Sequence, residues 1–378
     1  MQTPEPSRAT LRRLAEFKPE HGKVWSLYLN LDPSEFATAA ARASEVRSVI
    51  DEGRRRLKHA DGLGHDEKVA LRADLERADS WLRDGLDPRG VRAVALFVSG
   101  PSDYFEALKL TSPVASQVVI DDSPYIEPLA GLGGGGTWAV LLVNRRTGRL
   151  FTGSRAELTE IEDFRSRVGA ADGIGDESRD QQAVEAEVRE HIKRTADLAF
   201  RELGQEPFDR LLVGCQAEIC GEVEGRLHSY LRDRMAGRFD VDVDNATPAQ
   251  VTHAARALME EDERRRERHA LDRLAEGIGA RGRATAGLDE VLAALVERRV
   301  DTLLVDEGFS APGVVDPRSG WVGASAQRSP MDGGPVERRD DIVETAVELA
   351  LTQSAEVVVV RYHDDLRERA RIGALLRF

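Results

Sequence analysis

"VGAADGIGDESRDQQAVEAEVREHIKR", residues 168–194, sets a glycine-spaced, acid-rich stretch directly before a helical pattern. Val184, Val188, Thr195 and Leu198 recur at helical spacing, which predicts a helix from about Ser178 to Leu203 with Gly204 as its stop. Ser178 and Gln181 fit a capping box: hydroxyl and amide would each satisfy one orphan backbone N–H. That reading leaves unexplained the roughly eleven residues before the cap, beginning near Arg165; loops of that length in compact domains are functional or disordered. The segment is therefore a catalytic finger, a binding finger or a capped helix start.

Its flanks decide the fold around it. "TWAVLLVNRRTGRLFTGS" (137–154) reads as two strands about an "NRRTG" turn. After the helix come a strand at "FDRLLVGC", another helix, and the alternating "RFDVDVD" (238–244). Hairpin, helix, strand, helix and strand imply an α/β layer on a mixed sheet. Upstream, "KVWSLYLNL" (23–31) alternates as a strand; helices follow over about 34–58 and 66–84, joined by "ADGLGH". "VRAVALFVSG", "YFEALKL" and "SQVVID" return to strands. "DDSPYIEPLAGLGGGG" (121–136) reads as a boundary without regular structure. Thr247 and Pro248 open a long mixed-charge helix, expected to be a solvated connection between domains. Helix and strand then alternate through "GLDEVLAALVERRVDTLLVD" and "DIVETAVELALTQSAEVVVVRYH", and "RARIGALLRF" closes the chain. The fold class expected is α/β and α+β in three domains: residues 1–125 α+β, 126–265 mixed-sheet α/β with a long loop, and 266–378 an α/β sandwich.

Composition narrows the function. The 378 residues carry a net charge of −14 and 41% hydrophobic residues, enough for packed cores. No window reaches the ~18 apolar residues of a membrane helix, and "MQTPEPSRATLRRLAEF" has no apolar signal region. A cytoplasmic location is expected, with no membrane and no DNA partner. The acidic balance argues against a generic nucleic-acid coat, although local arginine clusters still permit docking on a large RNA.

The familiar chemical motifs are weak here. "GIGARG" (277–282) has dinucleotide-loop spacing but follows a helix instead of a strand. "GGGG" (133–136) lacks the Lys-Ser/Thr of a phosphate loop. Cys215 and Cys220 have no second ligand pair for zinc and read as buried small hydrophobes. His191 falls on the apolar side of its helix, as a core residue would, and Asp364 and Asp365 make no acid/base pair. No cofactor and no metal are expected.

From "GLDEVLAALVERRVDTLLVDEGF" through "AEVVVVRYHDDLRERARIGALLRF", with "IGALLRF" the most specific piece, the C-terminal unit resembles the third domain of the archaeo-eukaryotic peptide-release-factor superfamily. The hairpin, loop and long helix of the middle unit are similar to the part of that family that carries Gly-Gly-Gln to the peptidyl-transferase centre. The N-terminal unit looks more like that of the bacterial branch, whose Pelota-like and Balon-like members lack the tripeptide. No Gly-Gly-Gln occurs here: Ile174 separates Gly173 from Gly175, and Gln181 comes six residues later. A glutamine held in a capping box cannot position water, and Asp172, Asp176, Glu177 and Asp180 would repel rRNA unless screened.

The resemblance thus implies a non-catalytic ribosome-binding factor acting on hibernating or stalled ribosomes in a stress response. Its middle domain would point Gly169, Asp172, Gly173, Gly175, Asp176 and Ser178 at the peptidyl-transferase centre. The N-terminal domain would lie nearer the decoding site, and the C-terminal domain would meet the stalk base or a translational GTPase. Candidate rRNA contacts are Arg145, Arg146 and Arg149 on the hairpin, and Arg165, Arg167 and Arg179 beside the loop, with "RRRLK" (54–58) a third cluster. The alternative is an enzyme, a peptidyl-tRNA hydrolase, release or rescue factor using Gln181 or Gln182.

Overall fold

The computed structural model describes residues 6, 8–60, 62–88, 91–133, 136–166, 177–205, 208–279 and 282–378. They form two compact units, Met1–Gly134 with Arg264–Phe378, and Gly135–Glu263.

The first unit begins with α1 (Arg8–Glu16), β1 (Val24–Asn30), α2 (Ala39–His59), α3 (His65–Ser80), β2 (Ala93–Ser99), β3 (Tyr104–Leu110) and β4 (Gln117–Asp121). The strands pair antiparallel in the order β3-β2-β1-β4. Every residue of β1 and β2 is buried, because both faces of the sheet are covered. Trp25, Leu27, Leu96 and Val98 pack among Ile50 of α2 and Leu71 and Leu75 of α3; Val24, Tyr28 and Phe97 turn to the opposite face. α2 starts at Ala39, later than expected, because the Thr38 hydroxyl caps it by accepting from the Ala41 N–H at 3.1 Å. Ahead of it, Asp32 holds residues 32–36 in a turn through the N–H groups of Ser34, Glu35 and Phe36.

Residues 121–136 were expected to lack regular structure, yet Glu127–Gly133 forms a short helix, α4. Pro128 falls in its first turn, where a missing N–H costs nothing. Ile126, Leu129 and Ala130 are buried. The Glu344 carboxylate accepts the Ile126 and Glu127 N–H groups at 2.5 and 2.9 Å. Burial still pushes that carboxyl well above the usual range.

The second unit contains β5 (Trp138–Val143), β6 (Thr147–Gly153), β7 (Leu158–Arg165), α5 (Glu177–Gln205), β8 (Arg210–Cys215), α6 (Ala217–Arg226), α7 (Ser229–Arg232), β9 (Met235–Phe239) and the start of α8 (Pro248–Gly279). Its sheet runs β7-β6-β5-β8-β9. The first three strands are antiparallel and the β5–β8–β9 pairings are parallel, the mixed sheet the element order implied. One face buries Ala139, Leu141 and Val213 under Val188, Ile192 and Ala199 of α5 and Ile219 and Val223 of α6. The other buries Trp138, Val140 and Phe151 under Val251, Ala255 and Met259 of α8.

α8 is therefore not solvated all round. Its first half covers this sheet, and Ala270, Leu271 and Leu274 of its second half enter a core of the first unit. Its start is as expected: Thr247 and Gln250 exchange bonds in a capping box. β9 stops at Phe239, short of the alternating "DVD", because the Asp242 carboxylate takes the Asp244 and Asn245 N–H groups at 3.1 and 3.2 Å and turns the chain.

The C-terminal part of the first unit adds β10 (Ala284–Ala286), α9 (Leu288–Val296), β11 (Val300–Asp306), β12 (Gly313–Val315), β13 (Val322–Gly323), β14 (Glu337–Arg339), α10 (Ile342–Thr352), β15 (Glu356–Val360) and β16 (Ile372–Leu376). Its main sheet is β10-β16-β11-β15, with β11 and β15 parallel; β13-β12-β14 forms a small second sheet. Leu292 and Leu295 of α9 and Val343 and Ala346 of α10 share one apolar cluster with Tyr28 and Phe97 of the N-terminal sheet.

Candidate functional site

The chain leaves the second unit's sheet at the end of β7 and re-enters it as α5. At that end, Arg165 lies opposite Thr147, and the Ser166 N–H donates to the Arg146 carbonyl at 2.8 Å. The β5–β6 turn and the exit of β7 are thus side by side. Asn144 shapes the turn by accepting the Arg146 and Thr147 N–H groups at 2.8 and 2.7 Å. Asp244 braces it from the α8 side through Asn144 and the Thr147 hydroxyl. This framework holds Arg145, Arg146 and Arg165 exposed at one tip, while the exposed carboxylates of Glu162 and Asp163 lie further back along β7.

α5 is anchored to the same tip. Ser166 Oγ and His191 Nδ1 share a hydrogen bond at 2.8 Å across 25 residues. Gly148 in β6 lets the helix approach, since a Cβ there would collide with Thr195 Oγ1 and the Phe164 ring. His191 is buried beside Phe164, and burial holds its imidazole below the ordinary histidine range. A neutral, buried imidazole with a serine partner is an anchor. Neither Ser166 nor Asp244 stood out in the sequence, because each acts through a partner far along the chain.

Arg149 is placed differently from its two hairpin neighbours. Only 8% of it is exposed. Its guanidinium meets the Glu160 carboxylate through Nε and Nη2 at 2.6 and 2.7 Å, and Nη1 donates to the Val243 and Ala246 carbonyls at 3.1 and 2.8 Å. The hydrogen-bonded Glu160 carboxylate holds it above its usual pKa. Four of its five N–H donors are engaged inside the unit, so Arg149 is a clamp between β6, β7 and the segment entering α8, not the RNA contact expected of it.

Arg167, Gly169, Asp172, Gly173, Gly175 and Asp176 lie outside the described residues, as do the side chains of Ser178, Arg179 and Gln181. α5 already includes Glu177, so Ser178 sits within its first turn instead of at the N-cap. Gln182 is exposed on the same helix. In the 54–58 cluster, Arg54 pairs with Asp51 at 2.8 Å, and Arg55 and Arg56 both pair with Glu52 at 2.9 Å. All three arginines are thus already paired with carboxylates of their own helix.

Cys215 and Cys220, read from the sequence as separate buried thiols, form a disulfide with Cα atoms 5.5 Å apart. The turn from β8 into α6 brings them together. Among the described residues, no group of three or more His, Cys, Asp or Glu could hold a metal ion, and no helix is long and apolar enough to cross a membrane.

Residues 124–261 match the family described as bacterial archaeo-eukaryotic release factor family 10. No curated relative matches the sequence. Among solved structures, the chain is similar to the archaeal translation termination factor aRF1 (17% identity, 98% of each chain covered, TM-score 0.26). It is similar to Dom34 of S. cerevisiae, a translation termination-like factor of RNA quality control that interacts with Hbs1 (9% identity, 76% of this chain and 79% of that one, TM-score 0.41). A third likeness is to archaeal Pelota, in a model of ribosome-bound Pelota and ABCE1 (13% identity, 100% of this chain and 95% of that one, TM-score 0.44). Over that middle segment, residues 124–261, the chain resembles the bacterial branch of the archaeo-eukaryotic release-factor superfamily.

Proposed function

We propose that this protein is a ribosome-binding translation factor of the cytoplasm that acts without catalysis, occupying the A site of hibernating or stalled ribosomes under stress. The carrying observation is the tip of the second unit: exposed Arg145, Arg146 and Arg165 are braced side by side where the chain departs for residues 167–176 and returns as α5. In this reading the arginines meet rRNA phosphates, which fix position without reading sequence. Residues 167–176 then occupy the peptidyl-transferase centre. Residues 1–125, 126–265 and 266–378 serve as three domains, the first toward the decoding site and the last toward a translational GTPase. The sequence offers no Gly-Gly-Gln for release chemistry.

The test pairs co-sedimentation with 70S ribosomes across ~50–200 mM salt with peptide release from stalled complexes, comparing wild type with Gln181→Ala and Gln182→Ala. Salt-sensitive binding without release is expected. Robust release that either substitution abolishes would establish the peptidyl-tRNA hydrolase reading instead, and absence of binding at every salt would overturn both.

A further inference from the structure

α4 is too weak to stand by itself. Its seven residues are about half the length at which an isolated helix becomes marginally stable in water, and Gly131 and Gly133 lower its propensity further. Its helical state comes from docking. On one side, Tyr125 ties the segment to the N-terminal sheet: its N–H donates to the Ser26 hydroxyl at 2.9 Å, and its carbonyl accepts from the Tyr28 hydroxyl at 2.5 Å. On the other, α10 holds the first turn through Glu344. Arg361, just beyond β15, lies against Gly131, where a Cβ would come within 2.6 Å of its guanidinium. A carboxyl group at the N-terminus and a guanidinium near the C-terminus both suit the helix dipole.

The same docking buries acid. Glu348 lies one turn beyond Glu344 on α10, and each is 7% exposed. Glu348 accepts from the Ser123 hydroxyl at 3.1 Å and pairs at 3.2 Å with Lys18, whose side chain is 70% exposed. Glu127 of α4 accepts from the Tyr125 hydroxyl at 3.0 Å. Burial pushes all three carboxyls above the usual range. Glu344 is faced by Tyr28 of β1, Tyr125, Glu127 of α4 and Glu348 of its own helix. Asp341, Glu307 and Arg361 act on Glu127, and Lys18 and Asp121 act on Glu348. Arg339 is engaged by Asp121 and Asp122. Carboxyls therefore outnumber cations at this junction. Closing it with all three buried carboxyls ionised costs hydration and adds mutual repulsion.

We propose that α4 is a proton-controlled latch: it docks as a helix while the junction around Glu344 holds protons, and melts into extended chain as they leave. Above the ordinary carboxyl value of 4.5 the docked state binds more protons than the released one, so docking weakens as pH rises through that window. α4 is the last described element before the second unit begins at Gly135. Released, its seven residues span up to about 23 Å instead of about 10 Å, which lengthens the tether leading to that unit. The device lies within the first unit, so its failure and that of the proposed function are separable.

The test is amide hydrogen exchange of the full chain between about pH 5 and pH 8, with opening constants for residues 126–133 corrected for the intrinsic exchange rate at each pH. The α4 amides are expected to open far more often than those of β2. Their opening constant should rise with pH by up to about tenfold per unit for each proton released. Glu344→Gln cannot ionise, so it should lower that slope by up to about tenfold per unit, and adding Glu348→Gln should flatten it further. Opening independent of pH in the wild-type chain, or a slope unchanged by Glu344→Gln, would overturn the proposal. So would opening of residues 126–133 only together with β2, which would make α4 part of the core and no latch. Retained protection of β2 in each variant separates release of α4 from unfolding.

Discussion

Replacing Arg149 with alanine distinguishes a clamp from a ligand contact. The substitution removes two bonds to the Glu160 carboxylate and two to the carbonyls of Val243 and Ala246. The Arg149 side chain is 9% exposed and that of Glu160 is 25% exposed, so water cannot fully re-solvate what is left. Breaking a buried pair by removing one partner costs about 3–5 kcal/mol. The partial exposure of Glu160 argues for the lower half of that range, to which the two orphaned carbonyls add about 1 kcal/mol each. A loss of about 5–6 kcal/mol would equal the lower end of the 5–15 kcal/mol typical of a folded protein. Amide hydrogen exchange of β5 and β6 during urea titration reads the second unit separately from the first. Glu160→Gln should cost less, and the Arg149→Ala/Glu160→Gln double variant should fall short of the sum, because the two side chains share one interaction. Arg149→Ala with undiminished strand protection but lost ribosome binding would refute the clamp and restore Arg149 as a contact.

The exposed arginines should behave oppositely. Arg145→Ala and Arg146→Ala should each leave stability within ~0.5 kcal/mol, yet weaken ribosome co-sedimentation and lower its salt slope by about 1; unaltered binding of the double variant would remove the tip from the proposed interface. Because burial holds folded His191 below the ordinary histidine value of 6.5, the unfolded chain binds more protons between the two values, and stability rises with pH through that window. Acidification below about pH 6.5 should therefore destabilise the second unit, and His191→Gln should flatten the dependence; an identical pH profile in the variant would contradict the assignment. Reducing Cys215–Cys220 opens a loop of about six residues, worth roughly 2 kcal/mol in the chain-entropy account. Exchange protection of β8 with and without reductant measures this, and no difference would show that packing alone holds the β8–α6 turn.

Local periodicity made most of the elements legible. The two strands about "NRRTG", the long α5 and the Thr247–Gln250 cap of α8 are encoded within a few residues of where they form. Turn chemistry was less visible. Asp242 stops β9 and Thr38 delays α2 through single side-chain bonds, which an alternating or helical pattern does not reveal. α4 escaped notice because proline and glycine read as breakers, while its stability comes from buried Ile126 and Leu129 and from Glu344 over two hundred residues away.

By itself, the sequence determined the order and type of most of the longer elements, the mixed sheet of the middle segment and the lack of a Gly-Gly-Gln tripeptide. These follow from neighbouring residues, since backbone geometry repeats every two or 3.6 positions. Only the tertiary structure decided which hairpin arginine is buried, that Cys215 meets Cys220, that Phe200, His228 and Tyr230 form one stack, and that the N- and C-terminal sheets share a core. Each of those depends on partners that packing brings together, and a side chain's solvation and charge pairing are set by those partners.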